Sequence, residues 1–340
     1  METTTTPIIS AAAKQTAAEK LHCKPDELNI LAVSGGYSLN RRALLGHHNK
    51  WVFAKEVDKS VLAGDGSEEL EWLQKDFDVT TVLRTQMPDI IPEWSSLSED
   101  KHVLLMPSYR IEDGWLWTVP DDKAIRHDYV QAVINATKKL EVASFNTTET
   151  DHINLAPYFR DKLALDDGLE LISRNPSLRE QLDHKYALLQ QIKTSEWLQK
   201  AYDNMRQLLQ NPDRLNVIAM RAAKLIEQPN DCFNHCDVRS DNVTYNPLTR
   251  QIKFVDWNWA SYAPSKFGST EFLIDMARRG VDISPWTTDL NPELLAATIG
   301  VYAKSCLKDP LSSESTLREM QADSAAIALT LYDMVNKRAN

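Results

Sequence analysis

The most constraining stretch of this chain is Asn234-His235-Cys236-Asp237-Val238-Arg239-Ser240-Asp241-Asn242, followed shortly by Ile252-Lys253-Phe254-Val255-Asp256-Trp257. A histidine stands two residues before an aspartate, an asparagine follows that aspartate by five, and a second aspartate closes an apolar run. Val243-Thr244-Tyr245 is a short β-prone run, Asn246-Pro247-Leu248-Thr249 has turn chemistry, and Ile252 to Val255 is a second β-prone run. The expected order is loop, strand, turn, strand. It leaves Asp256 at a strand end, beside the loop that bears Asp237 and Asn242.

Phosphoryl transfer of the kinase type needs parts with this spacing. A carboxylate must sit against the attacking hydroxyl, and an amide and a second carboxylate must hold magnesium on the nucleotide phosphates. Asp237 is the expected catalytic carboxylate, with Asn242 and Asp256 as ligands of Mg2+. Magnesium prefers oxygen donors and keeps several waters, so one carboxylate, one amide and the phosphates suffice. A His-x-Asp alone occurs by chance and could be mere surface; joined to a hairpin and an apolar-Asp end, it is a much rarer pattern.

Composition bounds the rest. With 340 residues, 43% hydrophobic and 25% charged, the chain has the make-up of a globular protein, and two domains are the natural expectation. No apolar run is long enough to span a bilayer, and Met1-Glu2-Thr3-Thr4 does not open a secretory signal. A cytoplasmic protein without a membrane partner is expected, as a monomer or homodimer. The net charge of −10 argues against a nucleic-acid partner, whose phosphates need a basic face. Cys23, Cys232, Cys236 and Cys306 form no disulfide-like framework. Cys232, His235 and Cys236 invite a zinc reading, but a structural zinc wants four ligands in two paired groups and no second pair follows. Both cysteines are read as small packing residues.

Along the chain, residues 8 to 22 read as a short amphipathic helix. Asn29-Ile30-Leu31-Ala32-Val33 then enters Ser34-Gly35-Gly36-Tyr37-Ser38. Such a turn lets backbone N–H groups approach phosphate, so Gly35, Gly36 and Ser38 are nucleotide-binding candidates. The turn matches neither GxGxxG nor the Walker pattern, and a plain hairpin uses the same residues. Trp51-Val52-Phe53-Ala54-Lys55-Glu56-Val57 reads as a strand that presents Lys55 to phosphates. Ser67 to Phe77 reads as a helix with Ser67 as its cap. Glu69, Leu73 and Phe77 share one of its faces, so Glu69 is the expected partner of Lys55, with Glu68 the alternative. Val79 to Arg84 and His102 to Met106 read as two more strands. Met106-Pro107-Ser108-Tyr109 is then the connector that would border an adenine pocket, through Met106 and Ser108. From about residue 121 the pattern is helical, with core faces at Val130, Val133, Ile134, Thr137 and Leu140, then at Leu178, Leu182, Tyr186, Leu189 and Ile192. Leu215, Ile218, Ala222 and Leu225 continue the pattern, and a long closing helix carries Leu317, Met320, Ile327, Leu331 and Val335.

Taken in order, the Gly-Gly turn, Lys55, the Glu69 helix and the Asp237–Asp256 core resemble the aminoglycoside phosphotransferase family, the small-molecule branch of the protein-kinase-like fold. The resemblance covers roughly residues 30 to 305 and is specific at the core. It implies an α+β, bilobal architecture: a small antiparallel β N-lobe with one main helix over residues 1–108, binding nucleotide, and a larger, mostly helical C-lobe over 109–340, with the catalytic loop and the acceptor site. It implies ATP or GTP as co-substrate, Mg2+, and transfer of the γ-phosphate to a hydroxyl of a small molecule. Cys236 stands where the family usually has Gly. Trp257 and Asn258 follow Asp256 where protein kinases have Phe-Gly, and no Ala-Pro-Glu element follows at a suitable distance, so a protein substrate is not expected.

The acceptor stays open among antibiotics of the aminoglycoside kind and metabolites of the choline, sugar or amino-acid kind. A non-catalytic nucleotide-binding or immunity-type protein of the same fold is the rival of another class. Asp166, Asp167 and Glu170 could line a cleft for a cation, or form an ordinary acidic helix end. Arg239 could balance charge near the carboxylates or lie on the surface, and His235 is read as structural.

Overall fold

The computed structural model describes residues 9–33, 40–57, 66–143, 168–193, 195–309 and 316–339. The chain divides into two compact units. One contains the described residues up to Val133 and the stretch Asp241–Ala260. The other contains Ile134–Ala143, the described residues from there to Ser240, and those from Ser261 onward. Gly35, Gly36, Ser38, Asp166 and Asp167 lie outside the described residues, as does the side chain of Ser67.

The first unit is built on a five-stranded antiparallel sheet in the order β1-β2-β3-β5-β4: β1 (Asn29–Ala32), β2 (Arg41–His47), β3 (Lys50–Glu56), β4 (Ser96–Leu97) and β5 (Val103–Pro107). Side chains alternate across a strand, so each strand serves two cores. Val52 and Ala54 join Ala43, Leu45, Val103 and Leu105 in packing against Ala13, Ala17 and Leu21 of α1 (Ala11–Leu21). Phe53 and Val57 point the other way, with Leu104 and Met106, toward Leu73 and Phe77 of α2 (Gly66–Gln86). Lys55 lies between Phe53 and Val57 in this alternation. Glu56 falls on the α1 side and accepts the N–H of Ser10, the N-cap of α1, at 3.0 Å.

Helix α2 corrects the expected strand over Val79 to Arg84: that segment is its last two turns. The β-branched run misleads because packing outweighs propensity. Val79 and Leu83 are buried at i, i+4, while Thr80 and Thr81 return their hydroxyls to the carbonyls of Asp76 and Phe77, at 2.6 and 2.8 Å.

The expected hairpin is present as β7 (Val243–Asn246) and β8 (Gln251–Phe254), with Val243 opposite Phe254. Asn246 closes it by accepting the N–H groups of Leu248 and Thr249. The Lys253 amine donates to the carbonyls of Pro88 and Ile91, both at 2.8 Å, and Phe254 N–H donates to Ile90, which fixes the hairpin to the segment after α2. Tyr129 of α3 (Lys123–Glu141) packs on Tyr245 with ring centres 5.7 Å apart.

The second unit is mainly helical: α4 (Gly168–Arg174), α5 (Pro176–Ile192), α6 (Glu196–Leu209), α7 (Pro212–Ala223), α8 (Phe267–Arg278), α9 (Pro292–Ser305) and α10 (Leu317–Ala339). A small antiparallel pair, β6 (Cys232–Asn234) with β9 (Ser261–Ala263), precedes α8. Three of these helices start with the same dipeptide. Asn175-Pro176, Asn211-Pro212 and Asn291-Pro292 each put the amide oxygen on the third helical N–H and a proline where no N–H is needed. Helices α4 and α9 meet at Gly168 and Gly300, where a Cβ on Gly300 would lie 2.5 Å from the Leu169 nitrogen. Among the described residues no helix is long and apolar enough to cross a membrane.

Candidate active site

In the first unit the site is organised by Lys55, whose side chain is 4% exposed. The alternation along β3 turns it toward α2, where its Nζ lies 3.3 Å from Asp76 Oδ2 and 2.6 Å from Asp256 Oδ1. Burial works against its positive charge, but the two carboxylates outweigh it and raise the lysine pKa above its ordinary value. Asp76 is also raised: burial is the largest cause and the nearby Asp256 adds to it, against the pull of Lys55 and the N–H of Trp257. That N–H donates to Asp76 Oδ1 at 3.0 Å, so one buried carboxylate joins β3, α2 and the turn after β8.

This arrangement corrects the expectation that Glu69, or Glu68, pairs with Lys55. Glu69 is on α2, but its Oε2 is buried without a hydrogen-bond partner. Asp76 lies seven residues further, about 10 Å along the helix axis. It shares a buried stripe with Leu73, Thr80 and Leu83, and that stripe faces the Lys55 side of the sheet. A charged residue inside a buried helical stripe was the signal: it must find a partner, and the nearest cation is the strand lysine.

Asp256 follows β8 in the left-handed region, at φ 66° and ψ 58°, where aspartate is among the few residues that settle at modest cost. Its carboxylate is 28% exposed, unlike those around it. Asn242 is buried, and its carbonyl accepts the N–H of Val255 at 3.0 Å, so the hairpin register puts Asn242 beside the strand end that carries Asp256. A carboxylate and an amide brought together in this way are a hard oxygen donor pair, the set that suits Mg2+. Met106 is buried in the core shared with α2, and Ser108 donates its hydroxyl to the Trp51 carbonyl at 3.1 Å. Any contact of these two with a base therefore falls to their backbone.

In the second unit the loop from Asn234 to Ser240 is held by one face of α8. Gly268 N–H donates to Asn234 Oδ1 at 3.2 Å, Val238 N–H donates to Glu271 Oε2 at 3.4 Å, and Ser240 donates its N–H and hydroxyl to Asp275 Oδ2 at 2.9 and 2.7 Å. Positions 268, 271 and 275 are i, i+3 and i+7, which share a face. Glycine gives a close fit at 268, where a Cβ would press within 3.2 to 3.3 Å of the side chains of Asn234, Thr137 and Val238. Burial alone would raise the Asp275 pKa, but Arg278, Arg279 and Ser240 win and bring it down to about 2. Glu271 goes the other way, pushed well above the carboxylate range by burial and by the charge of Asp237.

Cys236 sits at φ 57°, a left-handed conformation that glycine adopts most easily, between His235, which is fully buried, and Asp237. The Asp237 carboxylate is ion-paired with Arg239, whose guanidinium is mostly buried, so Arg239 is no free surface residue. Asp237, Arg239 and Glu271 line a crevice with Tyr302, Thr298 and Met320. Glu170 is on α4 and pairs with Arg174, as an acidic helix end does. Gly268, Glu271 and Asp275 were missed by sequence reading, though an aspartate within Phe272-Leu273-Ile274-Asp275-Met276-Ala277 carries the same mark as Asp76.

No protein-family model matches the chain, and no curated protein matches it. Among solved structures it is similar to the choline kinase LicA of Streptococcus pneumoniae, with 12% identity and a TM-score of 0.51 over 93% of this chain and 97% of that one. It is also similar to an aminoglycoside 2'-phosphotransferase-IIIa in a GDP complex, with 14% identity and a TM-score of 0.48 over 92% and 93%. A third is spectinomycin phosphotransferase APH(9)-Ia in complex with ADP and spectinomycin, with 12% identity and a TM-score of 0.48 over 91% and 93%. The likeness to the choline kinase shows the fold: the chain has an α+β, protein-kinase-like fold.

Proposed function

We propose that the chain is a phosphotransferase that moves the γ-phosphate of ATP or GTP to a hydroxyl of a small molecule. The observation that carries this reading is Lys55, a buried cation fixed by Asp76 and Asp256 at the strand end next to Asn242. Two carboxylates are more than one ammonium needs, and the one that stays partly exposed is suited to a metal–phosphate group.

In this reading Lys55 neutralises phosphate oxygens, with Asp76 setting its position. Asn242 and Asp256 would hold Mg2+, which when bound supplies charge neutralisation on the phosphates. Asp237 orients the acceptor hydroxyl and accepts its proton, and Arg239 steadies the carboxylate by an ion pair. The backbone at Met106 and Ser108 borders the base, and Gly35, Gly36 and Ser38 are the candidates for binding the phosphates. Catalysis is then mostly positioning and electrostatics.

One feature bears on the acceptor. Among the described residues, the acidic groups of the Asp237 crevice are already balanced: Asp237 by Arg239, Asp275 by Arg278 and Arg279, and Glu271 by its raised pKa. That favours a metabolite alcohol with little positive charge over a polycationic antibiotic.

The test is release of ADP or GDP across a panel of aminoglycosides, macrolides, choline, sugars and amino acids, with Asp237→Asn beside the wild type. Turnover of the true acceptor should fall by about two to four orders of magnitude in the variant. Thermal stabilisation by magnesium and nucleotide should persist, because the proposed metal ligands are untouched. Unchanged activity in Asp237→Asn would hand the function to the association-only reading, and no thermal shift with either nucleotide at millimolar concentration would remove nucleotide binding itself.

A further inference from the structure

We infer that the first unit carries a second metal site, for a divalent ion of the zinc class, formed by Cys23, Glu27 and His47. One ligand atom from each of these three side chains, a sulfur, a carboxylate oxygen and an imidazole nitrogen, lies within 4.8 Å of the other two. Cys23 and Glu27 are close in sequence, and the fold brings His47 to them. Helix α1 ends at His22 in a left-handed C-cap, which turns the chain so that Cys23 sits against the α1-side core. A single turn of 3-10 helix, Pro25–Glu27, then leads into β1. The β1–β2 register pairs Asn29 with Gly46, so the residues just before β1 run beside His47 at the end of β2.

Each ligand is accessible and partly fixed. Cys23 and His47 are half-buried and Glu27 is exposed. Glu27 Oε2 accepts the N–H of Lys24 at 2.8 Å, which holds the carboxylate in place and leaves its second oxygen for a metal. The His47 ring packs against that of His48, with centres 4.0 Å apart, in the two-residue turn between β2 and β3.

The donor set chooses the ion. A thiolate with an imidazole and a carboxylate suits Zn2+, while the hard ions Mg2+ and Ca2+ take all-oxygen sets. Three protein ligands leave a fourth, solvent-filled position of the tetrahedron. Binding forms a metal–sulfur bond and releases the Cys23 thiol proton to solvent. The ion would join the end of α1 to the β2–β3 hairpin and lock α1 onto the sheet. None of the three residues belongs to the proposed phosphotransfer machinery, so this site stands or falls independently of it.

The experiment is titration of the full chain with Co2+ as a spectroscopic substitute for zinc, followed by competition with Zn2+. The wild type should develop the thiolate-to-cobalt charge-transfer band at one equivalent, and Zn2+ should abolish it. Cys23→Ser should lose the band. His47→Gln should bind at least about 100-fold more weakly, since even changes behind the ligands cost 10- to 100-fold. Cys232→Ser should behave as wild type. Zn2+, but not Mg2+, should raise the melting temperature of the wild type and not of Cys23→Ser. The inference is overturned if the wild type shows no band, or if Cys23→Ser keeps it, because the cobalt then sits at another cysteine.

Discussion

The Nζ of Lys55 lies 2.6 Å from Oδ1 of Asp256, across 201 residues of sequence, and the same nitrogen is 3.3 Å from Oδ2 of Asp76 on α2. Asp76 has a second task in the N–H of Trp257. A buried aspartate that holds both the strand lysine and the turn next to Asp256 ties together three segments that sequence places far apart. Its two bonds are made at opposite oxygens of one carboxylate, which positions both groups. The geometry of Lys55 and that of the Asp256 turn are therefore set jointly.

Asp76→Ala takes one carboxylate from Lys55 and removes the acceptor of the Trp257 N–H. It should cost about 3 kcal/mol in urea unfolding, the low end for breaking a buried pair because Asp256 remains. Asp76→Asn keeps an acceptor for the Trp257 N–H and should cost about 1–2 kcal/mol. Glu69→Gln should change stability by no more than about 0.5 kcal/mol and leave nucleotide-dependent turnover near wild type. A large loss of turnover in Glu69→Gln, with Asp76→Asn unaffected, would mean that Glu69 is the working partner.

Asp275 makes a prediction about pH. Its folded pKa of about 2 lies below the ordinary carboxylate value, so the folded state binds the proton less readily than the unfolded one. The stability it contributes is present above about pH 4 and is lost as pH falls through about 2. A shift of that size corresponds to about 2 kcal/mol. Asp275→Asn should accordingly be about 2 kcal/mol less stable than wild type at pH 7, with the gap narrowing between pH 4 and pH 2.5. Urea unfolding at a series of pH values reads the difference directly, and a gap that stays constant over that range would refute the depressed pKa.

The parts of this protein legible in its sequence are those whose pattern is local. The hairpin from Val243 to Phe254 is announced by two short β-prone runs around Asn246-Pro247, and α5, α7 and α10 by apolar spacing. Strand β3 is legible too, because its lysine interrupts an apolar run. What sequence hid is pairing at long range. Val79 to Leu83 has the composition of a strand and becomes helix because its buried face continues that of Leu73 and Asp76. Asp76 and Glu69 are both acids on one helix, and only the height of Lys55 on the neighbouring sheet selects between them. Gly268, Glu271 and Asp275 have helical spacing that is plain in retrospect, but their partners are 33 to 35 residues earlier in a loop. The cluster of Cys23, Glu27 and His47 depends on the register of β1 against β2, which no local pattern specifies.

Cys236 offers a test of backbone strain beside the proposed catalytic aspartate. In an ordinary conformation, replacing alanine by glycine costs stability through added freedom in the unfolded chain. At φ 57° that order should invert. Cys236→Ala keeps a Cβ in the left-handed region, where it costs about 1–2 kcal/mol, and also loses the buried sulfur. Cys236→Gly loses the same sulfur but relieves the strain. The glycine variant should therefore be about 1 kcal/mol more stable than the alanine variant, with the wild type near the glycine variant because burial of the sulfur, about 1 kcal/mol, offsets its strain. Urea unfolding of the three proteins decides the matter, and an alanine variant at least as stable as the glycine variant would show that position 236 is unstrained.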